Sequence, residues 1–199
     1  MSLKKASLLI LLILLVDQVS KIYIKTHFML GQEIDVLGWF RILFVENEGM
    51  AWGAKIPGSY GKILLTSFRI VAVGLISYWL WDSIRKKSPR ILIISVSLIL
   101  AGAFGNIIDS VFYGVIFDSS LGQIATLFAD EPYGELLKGK VVDMLYFPMY
   151  SDILPSWVPL WGGEHFVFFA PVFNIADTAI STGFGLLVVF NKKAFPKDK

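Results

Sequence analysis

The chain has 199 residues, 55% of them apolar and only 17% charged, with a mean hydropathy of +0.66. A soluble domain of this length carries about 25% charged residues, so the composition points to a membrane protein. The net charge of +2 argues nothing about nucleic acid, and the chain has no basic block of the length such binding uses; the absence of cysteine excludes disulfides, thiol nucleophiles and thiolate-bound metals, and two histidines without an HExxH pattern argue against a zinc protease.

The first apolar segment, about 6–24, follows Lys4-Lys5 and has the opening of a signal peptide. No small-residue cleavage pattern follows, and the run continues through Asp17-Gln18-Val19-Ser20-Lys21, so it reads as a retained transmembrane helix. Asp17 and Lys21 are four apart, on one helix face, where a mutual ion pair is the simplest expectation. Residues 31–61 alternate turn residues with short runs such as Phe40-Arg41-Ile42-Leu43-Phe44-Val45 and read as a small β-structure outside the membrane. A second span covers about 62–81 and contains Arg69, which must snorkel or pair. The third covers about 91–112, and its outer half carries Gly102, Asn106 and Asp109 at spacings that share one face. The glycines suit close helix packing, whereas Asn106 and Asp109 need partners inside the bundle. Residues 115–165 read as a long connection, with Trp157 and Trp161 among prolines at the headgroup level. The last span, about 175–190, opens with Phe173-Asn174-Ile175-Ala176-Asp177. There Asn174 is placed as a helix N-cap, with Asp177 three residues on.

Ten of the eighteen Lys and Arg residues fall at the N-terminus, in the 82–90 link and in the C-terminal tail. The positive-inside rule then places both termini in the cytoplasm. The expected fold is a single all-α membrane domain over 1–199, with four transmembrane helices, the 31–61 β-structure and the 115–165 loop on the outer side. Asp17, Asn106, Asp109, Asn174 and Asp177 then lie near one level, within reach of Asn47 and Asp143 from the loops. Such clustering indicates a site. A small transporter using intramembrane carboxylates is an alternative.

Five blocks stand in order along the chain: Asp17-Gln18-x-x-Lys21, Asn47-x-Gly49-x-Ala51-Trp52-Gly53, Gly102-x-x-Gly105-Asn106-x-x-Asp109, Gly139-x-Val141-Val142-Asp143 and Phe173-Asn174-x-Ala176-Asp177. Together they resemble the bacterial lipoprotein signal peptidases, the type II signal peptidase family. The resemblance implies an aspartyl endopeptidase of the bacterial cytoplasmic membrane that cuts signal peptides from diacylglyceryl-modified prolipoproteins; a non-catalytic lipoprotein-binding membrane protein is the further alternative. It implies a catalytic dyad of Asp143 and Asp177, with Asp17, Lys21, Asn47, Gly49, Gly102, Asn106, Asp109 and Asn174 in binding or supporting roles. No metal or cofactor is expected; the partners are the lipid-modified substrate and membrane lipid, and a monomer is favoured. The chain departs from the family at Ser110, where an arginine is usual, and by extensions over about 115–138 and 148–172. Two close carboxylates sharing a proton can supply both the base and the acid that peptide hydrolysis needs.

Overall fold

The computed structural model describes residues 1–49, 57, 60–159, 162–168 and 170–196. Three long helices, α1 (Leu3–His27), α2 (Gly61–Arg85) and α3 (Arg90–Ile108), form a bundle with α5 (Ile175–Val189). The third continues through a π-helical segment, Asp109–Tyr113, into a short α4 (Gly114–Ile116). A last turn, α6 (Asn191–Ala194), follows α5. Segments 3–27, 61–85 and 90–116 are long and apolar enough to cross a membrane, whereas α5 is apolar but has 15 residues.

The reason the bundle needs a bilayer is visible on its surface. Leu8, Leu11, Leu12, Leu15 and Val19 of α1, Leu64, Phe68, Val71 and Leu75 of α2, and Phe184, Val188 and Val189 of α5 all project outward. Stripes of leucine and valine on this scale have no place in water. The inner faces bury Val73, Leu80, Leu92, Ile93, Val96 and Leu100 in one core. Close approach of α3 and α5 depends on small residues: a side chain at Gly102 would overlap the Ala176 carbonyl, and one at Gly183 would stand 2.6 Å from the Ser95 carbonyl.

On top of the bundle lies a four-stranded antiparallel sheet of order β1 (Glu33–Leu37), β2 (Phe40–Asn47), β3 (Val141–Tyr146) and β6 (Val172–Phe173). A separate hairpin pairs β4 (Tyr150–Ile153) with β5 (His165–Phe168). The all-α expectation with β-structure confined to 31–61 is therefore corrected: half of the main sheet comes from the second half of the chain. Residues 115–165 are not a plain loop either. Their first part folds back onto the end of the third helix, where Gly139, Leu137, Gly134 and Phe128 N–H groups donate to the carbonyls of Ser110, Val111, Gly114 and Ile116. The Gly114 and Ile116 carbonyls stand at the end of this helix and have no further turn to supply donors, so the returning chain supplies them.

This returning segment is held by a buried polar knot. Lys25 pairs with Glu46 and donates to Ser120 at 2.8 Å, while Lys140 reaches the other Glu46 oxygen at 3.1 Å. Phe117 and Tyr133 rings face the Lys25 ammonium. Burial alone would push the Glu46 carboxyl up, but the two lysines and the Ser120 hydroxyl together hold it below the usual carboxylate range. Phe44, Val142 and Met144 bury the same face of the sheet against Ile24, Tyr113 and Phe117. Trp157 is exposed; Trp161 lies outside the described residues, so the expected headgroup-level pair is not described as a pair.

Candidate active site

Alternation along the strands sorts the sheet's side chains into two sets. Val142 and Glu46 stand opposite one another and face the buried knot, so Asp143, opposite Val45, points to the other face. Asn47, opposite Val141, shares that face with Asp143, a diagonal neighbour across the ladder. Its amide donates to Asp143 Oδ2 at 3.1 Å. The expectation that Asp143 reaches the site from a loop is thus replaced by a strand, which fixes its direction more tightly. Asn47 also accepts the Gly49 N–H at 2.8 Å, and Gly49 has φ +99°, where a side chain is strained. Ala51, Trp52 and Gly53 of the same block lie outside the described residues.

Asp177 comes from the first turn of α5. Asn174 is the N-cap, with its side-chain oxygen accepting the Asp177 N–H at 2.8 Å. The amide nitrogen of the same residue donates to Asp143 Oδ1 at 2.7 Å. Capping and site assembly are therefore one interaction set: the amide that starts the helix also ties its first turn to the strand. Asn106 donates to Asp177 Oδ1 at 2.8 Å, and its oxygen accepts from Asn174 at 3.1 Å. Asp143, Asn174, Asn106 and Asp177 form a continuous hydrogen-bonded chain drawn from β3, α3 and α5.

Behind this chain sits a buried ionic cluster. Lys21 lies 2.9 Å from Asp17, 2.8 Å from Asp109 and 2.9 Å from Asn106 Oδ1, with all three charged side chains 0% exposed. The other Asp17 oxygen accepts the Ala176 N–H at 2.8 Å, so α5 receives a second cap from α1. Asp109 also accepts from Gln18 at 2.9 Å and from the Val142 N–H at 3.3 Å. Asp17, Lys21 and Asp109 therefore stand behind the cavity, linking the helix bundle to the strand and helix that carry Asp143 and Asp177. Gly105 must be glycine here, because a side chain would stand 2.6 Å from Asp17 Oδ2. Gly102 is a packing position against Ala176, deeper in the bundle.

A cavity of about 570 Å³ opens in front of the two aspartates, bounded by Asn47, Gly49, Arg69, Asn106, Asp143, Phe173 and Asp177. Asp143 is only 2% exposed. Burial first, and then the Asp177 charge, push its carboxyl up to about 7, against the opposing donors Asn47 and Asn174. Arg69 is the residue that sequence reasoning left unassigned; its signal was a lone charge in an apolar span. Its guanidinium reaches over to donate to the Gly49 carbonyl. Ser110 is buried and donates to the Asn106 carbonyl at 2.9 Å, so it helps hold the third helix and does not line the cavity.

Two carboxylates aligned by side-chain amides, set over a cavity at one end of an apolar helix bundle, have the equipment for acid–base chemistry on water at a membrane. Residues 9–191 match the family model described as Signal peptidase (SPase) II. The lipoprotein signal peptidase of Porphyromonas gingivalis (strain ATCC BAA-308 / W83) is 53% identical over 188 residues, covering 94% of this chain and 82% of the relative. That of Amoebophilus asiaticus is 39% identical over 186 residues, covering 90% and 74%. A solved structure described as a bacterial membrane enzyme, determined by the in meso method at 2.3 Å resolution, shares the fold with a TM-score of 0.64 at 22% identity, covering 99% of this chain and 94% of its own. The chain belongs to the signal peptidase II family, membrane proteases of the aspartic type.

Proposed function

We propose that Asp143 and Asp177 are the catalytic dyad of a membrane endopeptidase that removes signal peptides from diacylglyceryl-modified prolipoproteins, the substrate class suggested by the name its relatives carry. The observation that carries the reading is the Asn174 amide, which accepts from the Asp177 backbone and donates to the Asp143 carboxylate. It holds two carboxyl groups from distant parts of the chain at one cavity. Near neutral pH the pair shares one proton, which belongs to the dyad as a unit. The ionised member takes a proton from water as the oxygen attacks the scissile carbonyl carbon, and the protonated member donates to the carbonyl oxygen. Collapse of the tetrahedral species breaks the C–N bond, with a proton passing to the departing nitrogen. The products are a signal-peptide carboxylic acid and a free amine on the lipidated cysteine, and the dyad again holds one proton.

The supporting residues divide by position. Asn47, Asn106 and Asn174 aim the carboxylates; Asp17, Lys21 and Asp109 hold Asn106 and the start of α5; Gly49 and Gly102 allow close approach of neighbouring segments. The whole chain acts as one domain with four spans, both termini cytoplasmic, the site near the outer face of the bacterial cytoplasmic membrane, and a monomer as the working unit. With 15 residues, α5 is about 22 Å long, shorter than the roughly 30 Å hydrocarbon core. If its basic end rests at the inner surface, its first turn lies within the outer edge of the bilayer, where the acyl chains of the substrate also lie.

Asp143→Asn and Asp177→Asn each remove the shared proton while keeping an oxygen for the surrounding amides. Purified, lipid-reconstituted protein carrying either change is expected to cleave a diacylglyceryl-modified prolipoprotein at least 10³-fold more slowly, roughly the upper part of the range for loss of acid–base catalysis. Near wild-type turnover in either variant would refute the assignment.

A further inference from the structure

We propose that Arg69 is a substrate-contacting residue of this site, its guanidinium donating to a main-chain carbonyl of the bound peptide beside the scissile bond. Arg69 is the ninth residue of α2, about 12 Å along the axis from Gly61. A cation that far into an apolar span is costly and needs a local partner. One side of the guanidinium has such a partner, the Gly49 carbonyl. The other nitrogen, Nη1, is shielded from solvent and makes no hydrogen bond among the described residues. A buried charged donor left unpaired costs more than the hydrogen bond it forgoes, so it marks a place kept for an acceptor.

The surroundings say what that acceptor is. The guanidinium bounds the same cavity as Asp143, Asp177 and Asn106, and both aspartates are near enough to act on its charge. It is held in place from α2 by a regular stripe. Lys62 donates to the Glu48 carbonyl at 2.6 Å, Thr66 to the Leu137 carbonyl at 2.9 Å, and Arg69 to the Gly49 carbonyl, at intervals of four and three residues along one helix face. Gly49 carries no side chain where that guanidinium stands, since an added carbon would overlap Nη1. A planar donor fixed in this way, beside a pair of carboxylates that hydrolyses an amide, suits an extended peptide whose carbonyls lack a protein partner. The same donor would meet the new carboxylate of the departing signal peptide.

This inference rests on the dyad reading, and the test separates the two. Steady-state cleavage of a synthetic diacylglyceryl-modified prolipoprotein peptide is measured in lipid nanodiscs for wild type, R69Q, R69K and R69A, beside D143N and D177N. R69Q is expected to lower kcat/KM by about 10- to 100-fold, mainly through a higher KM, the loss of one charge-assisted hydrogen bond. R69K keeps the charge but not the fork, and is expected to fall between. R69A is expected to regain at least about tenfold in kcat/KM with millimolar ethylguanidinium, chiefly through a lower KM, the readout that separates a substrate contact from support of Gly49 alone. Wild-type kcat/KM within twofold in R69Q, a loss confined to kcat, or no response of R69A to ethylguanidinium overturns the proposal. If R69Q fails to insert, a raised KM in R69K supports the contact and an unchanged KM overturns it. Inactive D143N and D177N beside a normal R69Q remove only this inference, whereas active aspartate variants remove the dyad itself.

Discussion

Replacing Lys21 by methionine tests whether the buried ionic cluster holds the site. The ammonium sits within 2.8–2.9 Å of Asp17, Asp109 and the Asn106 oxygen, and neither it nor the two carboxylates touch solvent. Methionine fills similar volume and removes all three interactions. Removing one partner of a buried ion pair costs about 3–5 kcal/mol, because the remaining charge has nothing to replace it. One lysine serves both carboxylates here, so the loss is taken once, at the upper end of that range. At about 2–4 °C per kcal/mol for a chain of this size, thermal unfolding in lipid-mimetic detergent is expected to fall by about 10–20 °C. Turnover falls as well, since the Asn106 oxygen loses one donor and its amide no longer has a single orientation toward Asp177. The informative comparison is the triple variant Asp17→Asn, Lys21→Met, Asp109→Asn. It removes every charge at once, and the Asp17→Asn amide oxygen still accepts from the Ala176 N–H. Replacing a buried ion cluster whole is far milder than breaking it, so the triple variant is expected to recover at least half of the lost stability. A Tm shift below 2 °C in Lys21→Met, or a triple variant no more stable than the single one, would refute the reasoning.

Two further outcomes follow from groups outside the bundle. Asp143 has a carboxyl raised to about 7, mainly by burial and then by Asp177, so its protonated form is favoured in the folded state. Its contribution to stability is complete below the unfolded value near 4 and is lost as pH rises through about 7. The pH profile of kcat/KM is therefore expected to fall on its alkaline side near 7, and Asn47→Ala, which deletes a donor to the charged form, should move that limb upward; a limb that stays or moves down would count against the Asn47 bond. Glu46→Gln leaves Lys25 as a buried cation without its counter-charge, at a cost of about 3–5 kcal/mol. The Glu46 carboxyl is held below its ordinary range, so its stabilisation is present above the unfolded value near 4.3 and fades as pH falls through the folded one. Limited proteolysis should then cut first within 115–140, and unchanged protection there would show that the knot does not fasten that segment.

Much of the site could be read from residue order. Asp17, Lys21, Asn106, Asp109 and Asp177 are rare polar residues in apolar runs, and the energetic penalty of each in a membrane marks it before any coordinates are known. Periodicity likewise yields the helices to within a few residues, because the bilayer imposes one long apolar pattern per crossing. The Asp17–Lys21 pair, four residues apart, is local and was expected. The strand carrying Asp143 was not. Val141–Tyr146 is six residues long, and it becomes a strand by pairing with Arg41–Asn47, about a hundred positions away. No local pattern reports a partner at that distance, and a short apolar run is ambiguous by itself.

What the sequence determined alone is therefore the medium and the cast: a membrane chain, its apolar helices, and two aspartates placed as a proposed pair. Tertiary structure decided which of the polar residues meet. It put Asn174 between Asp143 and Asp177, moved Asp17, Lys21 and Asp109 behind the cavity, and brought Arg69 into it. The physical reason is that polarity and spacing are properties of single segments, readable in order along the chain. A hydrogen bond between a strand, a helix cap and a neighbouring helix depends on register and packing, and these exist only once the segments have come together.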